Sequence, residues 1–123
     1  MKLLTTLIIS LSLIACHAQE SAHSGIFDDV SNEQAKELMA AKADLQIVDV
    51  RQNAEVARGM IEGAVQMDIS KPAFAEQIKS LDKTKPVLVY CAAGGRSKTA
   101  QEILQENGFT EVYNLKNGYE RWK

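Results

Sequence analysis

VLVYCAAGGRSKTAQEI, residues 87–103, decides the fold. Pro86 to Tyr90 forms a short, continuous apolar run of the kind expected for a strand covered on both faces. Cys91, two alanines, two glycines and Arg96 follow without any polar spacer. From Ser97 the apolar positions Ala100, Ile103 and Leu104 recur on one face, and Gly108 is placed to end the turn, so a helix is predicted over 97–107. A strand that feeds through a glycine turn into a helix is half of a βαβ unit, and it points to a parallel sheet.

The rest of the chain repeats the alternation. Ser31-Asn32-Glu33-Gln34 fits a capping box, with Ala35, Leu38 and Met39 following at helical spacing. LQIVDV (45–50) reads as a second buried strand, GAVQMDI (63–69) as a weaker one and EVYNL (111–115) as another. Phe74, Ile78 and Leu81 lie at i, i+4, i+7 and predict a helix beginning near Pro72. NGYERWK adds a terminal helical turn, on which Tyr119 and Trp122 are expected to pack against the sheet. The expected fold class is α/β, a small parallel sheet of about five strands covered by helices.

At 123 residues the chain has room for a single small domain. Its hydrophobic share of 46%, charged share of 24% and net charge of −2 are those of a soluble globular protein, and with no run of like charge nothing points to a nucleic-acid partner. The opening MKLLTTLIISLSLIA, residues 1–15, reads as an export signal and is set apart from the fold. It runs into Leu13-Ile14-Ala15-Cys16, which resembles the lipobox of bacterial lipoproteins, with Cys16 as the lipidated residue. A plain secretory signal cut after Ala18 is the other reading; the lipobox is favoured. Two or three acyl chains would anchor the protein stably to a membrane. His17 after the cysteine, where no aspartate stands, implies export onward to the periplasmic face of the outer membrane. Residues 16–25 then form the lipidated cysteine and a small polar tether, and 26–123 the domain. His17 and His23, in the tether, are a poor basis for a metal site.

With Cys16 lipidated or removed, Cys91 is the only thiol left, and a free thiol in an oxidising compartment calls for an explanation. Packing alone would supply one, since buried cysteines are common in cores. Its position suggests more. In parallel α/β sheets, ligands bind at the carboxyl ends of strands, where loops lead into helix N-termini. Gly94 and Gly95 allow the loop to curl so that its N–H groups converge. The helix N-terminus and Arg96 favour thiolate over thiol. Such a junction activates a nucleophile and gives an anion a seat.

The segment Cys91-Ala92-Ala93-Gly94-Gly95-Arg96-Ser97 resembles the active-site loop of rhodanese-family sulfurtransferases. The similarity continues in IVDVR (47–51), Glu55, ARGMIEGA (57–64) and LKNGYERW (115–122), and so spans roughly residues 26–123. The resemblance implies a rhodanese-like fold and transfer of sulfane sulfur: Cys91 attacks a small anionic donor such as thiosulfate, carries a persulfide, and gives the sulfur to cyanide or a thiol. The amides of Ala92, Ala93, Gly94, Gly95, Arg96 and Ser97 would cradle the outer sulfur, and Arg96 would orient the loop or hold the donor's oxyanion end. It implies no metal and no organic cofactor.

Asp49 and Arg51, with Glu55, are read as holding neighbouring loops together, and Arg58 and Lys98 as solvated cations. Met60, Glu62 and Asn117 stand where the family frequently has histidine, proline and the first glycine of a pair, which bears on the pocket wall and on the donor. Other activities remain in view. Cysteine phosphatases and arsenate reductases of related architecture carry five residues between cysteine and arginine, whereas four separate Cys91 from Arg96. A rhodanese-like binding module typically has its cysteine replaced. A redox cycle at Cys91 would need a second thiol to resolve it.

Overall fold

The computed structural model describes residues 24–123. The segment expected to be an export signal, with Cys16, His17 and His23, lies outside the described residues. Five parallel strands form one sheet: β1 (Ile26–Val30), β2 (Gln46–Asp49), β3 (Val65–Gln66), β4 (Val87–Tyr90) and β5 (Glu111–Leu115), in the order β1-β5-β4-β2-β3. The helices are α1 (Asn32–Ala41), α2 (Asn53–Val56), α3 (Phe74–Gln77) and α4 (Gly95–Glu106).

β4 occupies the centre because all four of its residues are apolar enough to be covered on both faces, and each is fully buried. At about 1.5–3 kcal/mol per large apolar side chain removed from water, the burial of these residues contributes substantially to core stability. Alternation divides it. Val87 and Val89 join Val48, Val50, Phe74, Ile78, Ala100, Leu104 and Val112 on one face. Leu88 and Tyr90 join Val30, Ala35, Ile61, Tyr113 and Leu115 on the other, with Tyr119 and Trp122 packed against them. Cys91 continues the odd-numbered series and so points to the α4 side.

The chain leaves β4 through α4 toward β5 on one flank, whereas β2 leads to β3 on the other. The carboxyl ends of β4 and β2 therefore sit side by side where the path diverges, the place where such sheets form a crevice. Cys91 follows β4 there, and Arg51 follows β2.

The capping box opening α1 is present, with Gln34 N–H donating to Ser31 Oγ and Ser31 N–H to Gln34 Oε1. Three expectations are corrected. The 63–69 strand has only two ladder residues; beyond them the amides of Met67 and Ile69 still bond the carbonyls of Asp49 and Val50 as the chain bends over the sheet. The helix near Pro72 is four residues long and tightens into a 3-10 turn at Ile78–Ser80, from which Leu81 meets the core in extended backbone. α4 begins at Gly95, two positions before the predicted start at Ser97. Two elements have no counterpart in the sequence pattern. β1 (IFDDV) is an edge strand carrying two aspartates, and α2 buries no residue completely.

Candidate active site

The Cys91 loop is built from its carbonyls. Tyr119 N–H donates to Cys91 O at 2.8 Å and Glu120 N–H to Ala92 O at 3.0 Å. Asn114 Nδ2 reaches Gly94 O at 3.3 Å while also bonding Asp29 Oδ1 at 3.0 Å. With these carbonyls held outward by the C-terminal turn and β5, the amides of the loop face the opposite way, toward the sulfur.

Two close approaches make this possible. Gly94 lies at φ +97, and a Cβ there would stand 2.2 Å from Lys116 O. Gly118 lies at φ +69, and a Cβ there would stand 2.2 Å from Ala92 O. Both positions demand glycine by conformation and by space. Gly95 does not: its φ is ordinary, and a Cβ would have nothing within 4 Å. The expectation that both loop glycines supply unusual backbone angles is therefore corrected to Gly94 alone.

Inside the ring, Gly94 N–H donates to Cys91 Sγ at 3.1 Å and Ser97 Oγ–H at 3.3 Å. Cys91 is 1% exposed, so these groups, in place of bulk water, solvate the sulfur. Burial pushes the thiol pKa up, but the Ser97 hydroxyl and the backbone N–H groups of Ser97, Ala93 and Gly94 outweigh it and hold the pKa below its ordinary value. Among the described residues, the amides of Ala92, Gly95 and Arg96 have no backbone partner. The last two belong to the open first turn of α4, where the helix dipole also favours negative charge. A second sulfur bound to Sγ thus has donors available on the rim, where Ala93 and Gly95 are exposed.

Arg96 turns to Glu55. Its Nη1 and Nη2 bond Glu55 Oε2 and Oε1 at 2.9 and 2.7 Å, a bidentate pair that ties α4 to α2. The Glu55 carboxylate also accepts from Gln52 N–H, and Arg96 first, then that amide, against burial, bring its pKa down to about 2. Of the two roles implied for Arg96, this geometry serves the orientation of the loop.

Arg51 and Asp49 form the second pair, bidentate, 4% and 0% exposed as side chains. Arg51 Nη2 also donates to Gly59 O at 2.7 Å, and its guanidinium lies 4.3 Å from the Tyr119 ring centre and 5.5 Å from that of Tyr90. It thereby props the ring at the start of the turn that anchors the Cys91 loop. Lys98 bonds Asp29 and Gln101, away from the sulfur.

Beside the loop runs a cleft of about 290 Å³ lined by Arg51, Glu55, Arg58, Ala92, Tyr119 and Glu120. None of the three departures from the family pattern lines it. Asn117 lines a different, larger depression near Asn32 and Lys123. Among the described residues, no three His, Cys, Asp or Glu side chains come together as a metal site.

Tyr119 and Trp122 pack against the sheet as their pattern predicts, but nothing in the sequence assigns Gly118, Glu120 or Asn114, or the Tyr119 amide, to the Cys91 loop. Gly118 was the one visible signal. The backbone bonds of Tyr119 and Glu120 carry no side-chain signature.

The model for the rhodanese-like domain matches residues 31–123. Thiosulfate sulfurtransferase GlpE of Coxiella burnetii is 38% identical over 98 residues, 80% of this chain and 89% of that protein. A sulfurtransferase of Allochromatium vinosum is 30% identical over 95 residues, 77% of this chain and 87% of that protein. Among solved structures, a rhodanese-like domain protein from Staphylococcus aureus superposes with a TM-score of 0.70 at 27% identity, covering 78% of this chain and 91% of that one.

Proposed function

The chain belongs to the rhodanese-like domain family, and on that premise we propose that it is a sulfurtransferase that moves sulfane sulfur from an anionic donor such as thiosulfate to cyanide or a thiol through a persulfide on Cys91. In the first half-reaction the Cys91 thiolate attacks the outer sulfur of thiosulfate, the donor's S–S bond breaks, and sulfite leaves with the electron pair. In the second, the acceptor attacks the outer sulfur of the persulfide, and the pair of the broken S–S bond returns to Sγ as thiolate. Charge balances in each half without an added oxidant or reductant.

The observation that carries this reading is the pair of donors on Sγ, Gly94 N–H at 3.1 Å and Ser97 Oγ–H at 3.3 Å, within a loop whose amides at Ala92, Gly95 and Arg96 have no backbone partner among the described residues. They stabilise the attacking thiolate and the same thiolate as leaving group. The Cys–Arg spacing of four residues supports a ring sized for sulfur over one sized for phosphate.

Purified protein should release thiocyanate from thiosulfate and cyanide, and Cys91→Ser should abolish this while leaving the circular dichroism spectrum unchanged. Incubation with thiosulfate should add one sulfur atom to the intact mass of the wild type. Turnover in Cys91→Ser equal to wild type would remove the mechanism.

The reading extends to place. The lipobox-like Leu13–Cys16 supports lipid anchoring at Cys16 on the periplasmic face of the outer membrane. Incorporation of a fatty-acid label that is lost in Cys16→Ser tests it.

A further inference from the structure

The cleft beside the Cys91 loop has two kinds of charge. Arg51 is neutralised by Asp49 and Glu55 by Arg96, each pair bidentate. Arg58 and Glu120 line the same cleft, are exposed, and make no ion pair and no side-chain hydrogen bond among the described residues. One uncommitted cation and one uncommitted anion therefore border a small recess that is also lined by Tyr119 and by Ala92, the neighbour of Cys91. A purely anionic ligand would meet Glu120 as well as Arg58. A ligand carrying both charges would satisfy both.

We propose that this cleft selects a zwitterionic aminothiol, a molecule of the cysteine class, as sulfur acceptor: its carboxylate on Arg58, its ammonium on Glu120, its thiolate directed past Ala92 to the persulfide. The inference rests on the sulfurtransferase reading and specifies its second half-reaction. The acceptor thiolate forms a bond to the outer sulfur of the Cys91 persulfide, the bond from that sulfur to Sγ breaks, and Sγ retains the electron pair. The acceptor leaves as its own persulfide, and the proton lost by its thiol goes to solvent. The cleft, at about 290 Å³, lies at the small end of ligand sites, which run from about 300 to 1,000 Å³. Both groups act at partly solvated positions, so each is worth a modest factor.

The test starts from protein loaded with sulfur by thiosulfate, freed of donor, and follows discharge by mass. Cysteine, cysteamine, which lacks the carboxylate, and 3-mercaptopropionate, which lacks the ammonium, are compared at equal thiolate concentration, with cyanide as reference. Cysteine should discharge the persulfide about fivefold faster than either analogue. Relative to cyanide, Arg58→Ala should bring cysteine down to the level of cysteamine, and Glu120→Gln to that of 3-mercaptopropionate. Equal rates for the three thiols, or a cysteine-to-cyanide ratio unmoved by both substitutions, overturns the inference while leaving the sulfurtransferase reading intact. Failure of the wild type to take up sulfur at all removes both.

Discussion

The Tyr119 amide donates to the Cys91 carbonyl oxygen at 2.8 Å, so the last turn of the chain orients the peptide of the residue that carries the chemistry. That turn is reached through Gly118, whose φ of +69 and ψ of −175 fall in a region open essentially to glycine. Gly118→Ala would set a methyl against the Ala92 carbonyl and cost about 1–3 kcal/mol in backbone strain alone. Because the strain falls on the two bonds that turn the loop amides inward, sulfur uptake should fall by much more than stability explains. Thermal unfolding and persulfide mass on the same sample measure the two effects separately.

Ser97 is the second direct donor to Sγ, at 3.3 Å, and its side chain has no contact with water. Removing the hydroxyl withdraws the group that most lowers the Cys91 pKa, while the opposing effect of burial stays. Ser97→Ala should therefore move the midpoint of pH-dependent thiol alkylation upward. Sulfur uptake near neutral pH should drop about tenfold, the scale of one hydrogen bond to a charged group. A midpoint at or below that of wild type would show that the backbone donors suffice.

How far this site was legible in advance depends on what each part is made of. The Cys91 loop could be read because strand, glycine turn, nucleophile and helix are contiguous, and β4 because four apolar residues in a row admit few other fates. β1 could not, since Asp28 and Asp29 break any apolar pattern. Asp29 earns its place only through partners far along the chain, Asn114 and Lys98. The helix expected from Phe74, Ile78 and Leu81 buried the predicted side chains, but a 3-10 turn and an extended residue deliver the same stripe to the core as a longer helix would. Apolar spacing specifies which face is covered more firmly than it specifies the backbone. The outward anchoring of the loop by the amides of residues 119 and 120 is a backbone property, and only the glycine before them betrays it.

The Glu55–Arg96 pair makes stability depend on acid. In the folded protein the Glu55 pKa is brought from 4.5 to about 2, chiefly by Arg96. A carboxylate depressed on folding contributes above its unfolded pKa and loses that contribution as pH falls toward the folded one. The pair should thus stabilise the protein fully above pH 4.5 and progressively less between 4.5 and about 2. Glu55→Gln should flatten urea midpoints across that window relative to wild type and, by releasing Arg96, slow sulfur uptake at pH 7. An unchanged slope in the variant would mean that other carboxylates carry the acid dependence.

The two loop glycines offer a sharper comparison, because they are neighbours in sequence and opposites in environment. Gly94→Ala meets the Lys116 carbonyl at 2.2 Å in a left-handed conformation, and should cost several kcal/mol or displace the 116–118 segment that holds the loop. Gly95→Ala enters open space at the first residue of α4 with an ordinary φ. There alanine reduces the freedom of the unfolded chain and should stabilise by about 0.4–1 kcal/mol, raising the melting temperature by a few degrees. Sulfur uptake in Gly95→Ala should stay within about twofold of wild type, since the amide it presents is unchanged. If Gly95→Ala lost uptake as completely as Gly94→Ala, the open rim at residue 95 would have to be part of the donor's path, and its lack of a side chain would be a requirement of the reaction, not of the fold.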